Sequence, residues 1–375
     1  MYKRLIEDKI RKDFFEGKVI VVVGARQVGK TTLVKSILKE TSPDLVLSLN
    51  ADDPSDRDLL EGADLSKLKE IIGEKKVVFV DEAQKVNAVG NILKLMVDEF
   101  GTEKQIVVTG SASINLLDMT SEPLTGRKFV YHLFPLSFEE LYDTHRLELE
   151  RNLDQRMLYG SYPEVVNVVG SHKKERVLRE LTSSYLYKDI LEFQEVKNSS
   201  LIYSLLKALA LQIGSEVSYS ELASLLGIDK KTVVRYIDLL EKSFVVFRVG
   251  SYSGNKRREI SKNKKIYFYD NGVRNAVLEV FGELTTRGDL GKLWENLLIS
   301  ERQKYRHYHD VFGRTYFWRT YDGSEVDLVE EREGRLFGYE IKYKKNTSTI
   351  PAKWKEYKNA SWELVNKDRL KGFVA

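Results

Sequence analysis

The apolar run KVIVVV, residues 18–23, opens directly into GARQVGKTT, residues 24–32. No other feature constrains the fold as strongly. A glycine turn of the form G-x-x-x-x-G-K-[ST] works only where a strand stops and a helix starts at one edge of a sheet. There, successive backbone N–H groups point at an anion and the helix N-terminus adds favourable partial charge. Gly24, Ala25, Arg26, Gln27, Val28, Gly29, Lys30, Thr31 and Thr32 are therefore candidate phosphate-binding residues. Lys30 is expected to reach the β/γ-phosphates, and the Thr31 hydroxyl to ligate Mg²⁺.

About fifty residues on, KVVFVDEAQ ends a second apolar run in Asp81 and Glu82. A nucleotide site needs carboxylates at such a strand end. Asp81 is the candidate for the Mg²⁺ shell, and Glu82 for the general base that accepts a proton from the attacking water. A third run, QIVVTGSAS, ends in Thr109, Gly110 and Ser111, with Ser111 the first and Thr109 the second candidate for orienting that water. Together with DLVLSL and FVYHLF these runs alternate with amphipathic stretches at 31–40 and 88–100, where Leu93, Met96 and Val97 share one face. Strands separated by helices predict an α/β fold with a parallel sheet covered on both faces.

The chain has 375 residues, more than one core usually supports, so two or three domains are expected. It has no cysteine, which excludes disulfides, thiolate zinc sites and cysteine nucleophiles, and its five histidines show no metal-ligand spacing. Any metal must be held mainly by oxygen. No apolar run is long enough to cross a bilayer, and the charged start MYKRLIEDKIRKDFF does not read as a signal peptide; a cytoplasmic protein without membrane contact is expected. The net charge is only +4, but KRREISKNKK, residues 256–265, carries six basic residues against one acid, and 342–371 is rich in lysine. Such runs serve either as plain solvated surface or as a footprint for a polyanion.

From about 138 to 213 the pattern turns helical, with Leu201, Leu205, Leu209 and Ile213 on one stripe and Gly214 as the stop. Next come a Ser218–Glu221 capping box, a short helix, Gly227 as a turn, Asp229 as a cap and a second helix to about 242. A strand pair with a basic loop follows. This order predicts a winged helix-turn-helix whose second helix presents Lys230, Lys231, Thr232 and Arg235, with Lys256, Arg257 and Arg258 on the wing. The same plan also serves as an ATPase lid or a protein-binding module. The last ~90 residues read as a small α+β unit: helix 290–305, strands TYFWRT, SEVDLVEE and RLFGYEIKYK, and a helix near 352–360.

The motifs GARQVGKTTL, LNADDP, VVFVDEAQ, VVTGSAS, LTGRKFVYHLFPLSFEEL and YGSYPEVV occur in that order over about 20–165. In this the chain resembles prokaryotic, especially archaeal, ATP-binding proteins of the AAA+ superfamily that carry a C-terminal domain of unknown function. The resemblance implies AAA+ strand order, ATP with Mg²⁺, and a helical lid at about 138–180. For Arg127 in LTGR it implies a γ-phosphate-sensing arginine, in cis or from a neighbouring subunit of a homo-oligomer; a plain surface cation is the other reading.

Toward the C-terminus, Glu340 and Lys342 lie two apart on one strand, Asp327 on the strand before it and Glu295 on the preceding helix. The spacing D-x₁₂-E-x-K resembles the PD-(D/E)XK nuclease-like fold, although Val326 stands where that motif has proline. The resemblance implies a second Mg²⁺ site on Glu295, Asp327 and Glu340, with Lys342 stabilising phosphorane charge, or an inactive binding module.

The expected organisation is thus an ATPase domain with lid over 1–180, a winged helix over 181–280 and a nuclease-like domain over 281–375. Three functions fit: an ATPase acting on DNA, a nucleotide-controlled switch acting on a protein partner, and an ATP-regulated DNA nuclease.

Overall fold

Strand β1 (Val19–Val23) is buried at all five positions. Because successive side chains of a strand point to opposite faces, both faces of the sheet must be covered there. The same holds for β4 (Gln105–Gly110) and most of β3 (Val77–Asp81), while β2 (Val46–Asn50) and β5 (Lys128–His132) are partly exposed. The strands order as β2-β3-β4-β1-β5, and every pair is parallel. Two further elements position the site. Helix α1 is Lys30–Leu38, and α2, Val89–Phe100, buries Ile92, Leu93, Met96 and Val97.

The computed structural model describes residues 2–110, 123–142, 151–185, 199–254, 264–344 and 347–374. Ser111 and the wing candidates Lys256, Arg257 and Arg258 lie outside the described residues. Contacts divide the chain into two units, 1–135 with 242–244, and 136–241 with 245–375. The sequence suggests three parts with breaks at 180 and 280; both positions fall inside the second unit.

The reason for the second difference is strand pairing. Helix α3 (Ser199–Leu211), β6 (Glu216–Val217), helices α4 (Tyr219–Leu226) and α5 (Lys230–Lys242), β7 (Val246–Ser251) and β8 (Lys264–Phe268) follow the expected order. The Ser218 side chain accepts the Glu221 N–H, and Gly227 takes the left-handed conformation that ends α4. Strand β8 pairs antiparallel with both β6 and β7. Strand β7, however, also pairs in parallel with β9 (Arg314–Arg319), Gly250 opposite Tyr316. Strands β10 (Glu325–Arg332) and β11 (Arg335–Ile341) continue the same sheet.

The helix expected near 352–360 is corrected. Ala352–Glu356 is a short 3₁₀ helix, and Ala360–Val365 is a strand, β12, parallel to β11. Trp354, 1% exposed, packs with Trp318, Val326 and Leu336 and lies so close over Gly338 that a Cβ there would meet its ring at 2.7 Å. From Ala360 on the chain is taken up in pairing with β11, Leu336 opposite Ala360. The helix expected at 290–305 is observed as α6, Leu290–Tyr308.

Candidate functional site

In a parallel sheet the loops that follow neighbouring strands gather at one edge. The loop after β1, the Thr109–Gly110 end of β4 and the Asp81–Glu82 end of β3 are therefore brought together, with Val22 opposite Thr109 and Val23 opposite Gly110. Gly24 must be glycine, since a Cβ there would lie 2.1 Å from the Leu133 carbonyl oxygen. Gly29 has φ +98, a left-handed conformation that side chains disfavour. The Lys30 side chain is buried and turned into the loop, donating to the Gly24 carbonyl at 3.0 Å and the Ala25 carbonyl at 2.9 Å. Arg26 is half-buried, Val28 is buried, and Gln27 and Thr32 are exposed.

The Thr31 hydroxyl donates to both Asp81 carboxylate oxygens, at 3.0 and 2.9 Å. Hydroxyl and carboxylate oxygens so placed form the donor set that a hard cation such as Mg²⁺ takes. The residues present fit that ion. Thr109, fully buried, donates its hydroxyl to Asp81 and accepts the Glu82 N–H at 3.2 Å, so the second candidate of the third strand holds both acidic residues in place. Glu82 itself is left-handed at φ +50, a strained conformation for a side-chain-bearing residue, and its carboxylate accepts a hydrogen bond from Gln84 Nε2 at 2.6 Å.

Arg127 is elsewhere. Its carbonyl accepts the Val19 N–H, which places it at the start of β5, and its guanidinium pairs with Asp98 at the end of α2. The phosphate loop leaves the other end of β1. Four residue steps of about 3.3 Å, or about 13 Å along the strand, separate those ends. The cis role for Arg127 is therefore corrected: it stands at the opposite edge of the sheet from its own unit's loop.

Sequence reasoning passed over Arg4. It is 4% exposed, and its guanidinium donates to the Val28 carbonyl at 2.7 Å and the Phe134 carbonyl at 2.6 Å. It ties the phosphate loop to the chain leaving β5. An arginine in MYKRLI among other charges carries no signal of this, because the contact spans 130 residues.

In the second unit, Lys230, Lys231 and Arg235 on α5 are exposed. Thr232 is not available in the way expected: it is half-buried, with its N–H and hydroxyl both donated to the capping carboxylate of Asp229.

Glu295, Asp327, Glu340 and Lys342 do gather, but among the described residues no three acidic or histidine side chains form a metal-holding group. Lysines lie against these carboxylates. Lys342 lies 2.7 Å from Glu340 and 3.5 Å from Asp327. Lys265, the last residue of the basic run, is 2% exposed and pairs with Glu295 at 3.4 Å and with Glu325. Asp327 sits where the β9–β10 register shifts and accepts the Ile341 N–H at 2.7 Å. Burial, then the charges of Glu295 and Glu340, push its carboxyl up to about 7.

Among the described residues no helix is long and apolar enough to cross a membrane. Residues 16–142 match a family described as AAA domain, residues 150–284 a domain of unknown function (DUF8612), and residues 290–367 another (DUF4143). An uncharacterized protein of Mycobacterium tuberculosis is 25% identical over 336 residues, covering 89% of this chain and 72% of that one. One from the archaeon Methanocaldococcus jannaschii is 25% identical over 385 residues, covering 97% and 84%. The relatives thus span bacteria and archaea. Among solved structures, a DNA polymerase III gamma subunit-related protein from Thermotoga maritima aligns at TM-score 0.26 and 14% identity over 64% of this chain and 100% of that one, too low to bear on the argument. The match over 16–142, falling on the loop and the acidic strand end just described, indicates an AAA-type P-loop ATPase domain.

Proposed function

We propose that this protein is a Mg²⁺-dependent ATPase of the cytoplasm whose second unit binds DNA. The observation that carries the first part is the Thr31 hydroxyl on the Asp81 carboxylate beside a loop closed over Lys30. In this reading the amides of residues 24–32 bind the phosphates, and Lys30 leaves the Gly24 and Ala25 carbonyls for the β/γ-phosphate oxygens. Thr31 and Asp81 hold Mg²⁺, which when bound neutralises charge on those oxygens.

Glu82 accepts the proton of the water that attacks the γ-phosphorus, and the bond to the β-phosphate oxygen breaks to give ADP and phosphate. Thr109 keeps Asp81 and the Glu82 backbone aligned during that transfer. Arg127, remote from its own loop, serves a neighbouring copy of the chain. A homo-oligomer is part of the proposal for that reason.

The DNA part is supported by the order α3, β6, α4, α5, β7, β8, with β8 pairing β6 and β7, which is the plan of a winged helix. Lys230, Lys231 and Arg235 are exposed on its second long helix, and the basic residues 256–258, outside the described residues, fall between β7 and β8 in sequence. Phosphate contacts of this kind give an affinity that falls steeply with salt.

The test pairs two substitutions. Lys30→Ala should abolish ATP binding, whereas Glu82→Gln should keep binding and lower turnover about 10²–10⁴-fold. Unchanged steady-state hydrolysis in both variants refutes the assignment. Hydrolysis indifferent to double-stranded DNA, with no salt-sensitive DNA binding, removes the DNA part and leaves the ATPase.

A further inference from the structure

The carboxylate cluster of the second unit is filled from within. Strand β8 pairs Lys265 with Glu216 on one side and Val249 on the other, and the side chain runs inward to 3% exposure. Its ammonium lies between Glu295 on α6 and Glu325 on β10. Tyr267, two residues further on the same strand and so on the same face, donates to the same Glu295 Oε1 at 2.8 Å. Glu295 Oε2 faces Lys292 at 3.5 Å, and the Lys292 ammonium also donates to the Gly214 carbonyl at 3.0 Å. Both Glu295 oxygens are therefore occupied by cations or donors of this chain.

In the other half of the cluster one oxygen of each carboxylate is engaged. Asp327 Oδ2 takes the Ile341 N–H and faces Lys342, which also holds Glu340. A divalent cation takes six or more oxygens at about 2.0–2.6 Å. To bind here it would displace or abut a buried ammonium of like charge, in a medium where charge repulsion is poorly screened. Burial works against a charged Lys265, but Glu295 and Glu325 outweigh it and hold the ammonium on.

We infer that Lys265 stands in the place of a metal ion: the four carboxylates of Glu295, Glu325, Asp327 and Glu340 are countered by Lys265, Lys292 and Lys342, with Arg319 4.0 Å from Glu325, and do not form a phosphodiester-cleaving centre. Its work is to tie β8 to α6 and β10. That is one reason the β7–β8 ribbon and the terminal strands share a sheet. The basic run ends at Lys265, but this last residue belongs to the interior.

The test uses the full chain without nucleotide and Mn²⁺ as the probe, followed by calorimetry, with plasmid nicking in the same buffers. Wild-type protein should show no Mn²⁺ binding that Asp327→Asn weakens and no nicking that Asp327→Asn removes. Lys265→Met keeps the stem and drops the charge; it should gain a Mn²⁺ site at least about tenfold tighter than any in the wild type, lost again on adding Asp327→Asn. The inference is overturned by Asp327-dependent Mn²⁺ binding or nicking in the wild type, or by a folded Lys265→Met protein that gains no site. Should Lys265→Met not fold, the comparison of wild type with Asp327→Asn decides.

Discussion

Replacing Arg4 by methionine keeps most of the aliphatic stem and removes the guanidinium. The side chain is 4% exposed and donates to two buried carbonyls, Val28 at 2.7 Å and Phe134 at 2.6 Å. Hydrogen bonds to a charged group contribute about 1.5–3 kcal/mol each, and a carbonyl left dry costs about 1–3 kcal/mol. Both accounts put the loss at several kcal/mol before relaxation. Water entering the vacated space offsets part of it, so about 3 kcal/mol is expected. Val28 lies inside the phosphate loop. If about half of the loss bears on loop geometry, ATP binding weakens about tenfold, since about 1.4 kcal/mol is one factor of ten. Because two units need not unfold together, the local measure is hydrogen exchange at the β1 and α1 amides, read beside ATP affinity by calorimetry. Exchange protection changed by less than about 0.5 kcal/mol, with ATP affinity within about twofold, refutes the role given to Arg4.

Two further outcomes follow from the geometry. Arg127→Ala should leave ATP binding intact but lower turnover, by up to about 10³-fold if the arginine stabilises transition-state charge. Mixing it in equal amounts with Lys30→Ala should restore about a quarter of wild-type turnover, because one interface in four then joins an intact loop to an intact arginine; a mixture no more active than its parts refutes action in trans. Asp289 is an acid-sensitive group of the second unit. Burial raises its pKa, but hydrogen bonds from Arg287 and Arg274 outweigh this and hold it at about 2. A depressed pKa stabilises the fold above the ordinary aspartate value of about 3.9, and that contribution is lost as pH falls toward 2. With a side chain 32% exposed, the amount is about 1–2 kcal/mol. Acid titration of unfolding should show this loss in the wild type, and an identical profile in Asp289→Asn refutes it.

The parallel sheet was legible because its signals are local. KVIVVV into GARQVGKTT names a strand, a turn and a helix start in fifteen residues, and β-branched runs ending in Asp81 and Thr109 repeat the plan. The cap at Ser218 and the left-handed stop at Gly227 were equally local and were read correctly. Strand β12 was not, since ASWELV follows a lysine-rich stretch and its pairing partner is β11, more than twenty residues earlier. The sharing of one sheet by β7 and β9 was also hidden, because nothing in a strand's own residues says which edge it will meet.

What the amino-acid order determined by itself is the chemistry on offer: a phosphate loop, carboxylates at strand ends, a basic run and a D-x₁₂-E-x-K spacing. Which of these can meet was left to the tertiary structure. It brought Thr31, Asp81 and Thr109 together, set Arg127 at the far edge of the same sheet, and turned Lys265 from a basic surface run into the carboxylates it neutralises. The physical reason is that spacing along a strand fixes the face and the end at which a side chain emerges. Only the pairing of distant strands decides what charge waits there, and a buried carboxylate takes whichever cation the fold delivers.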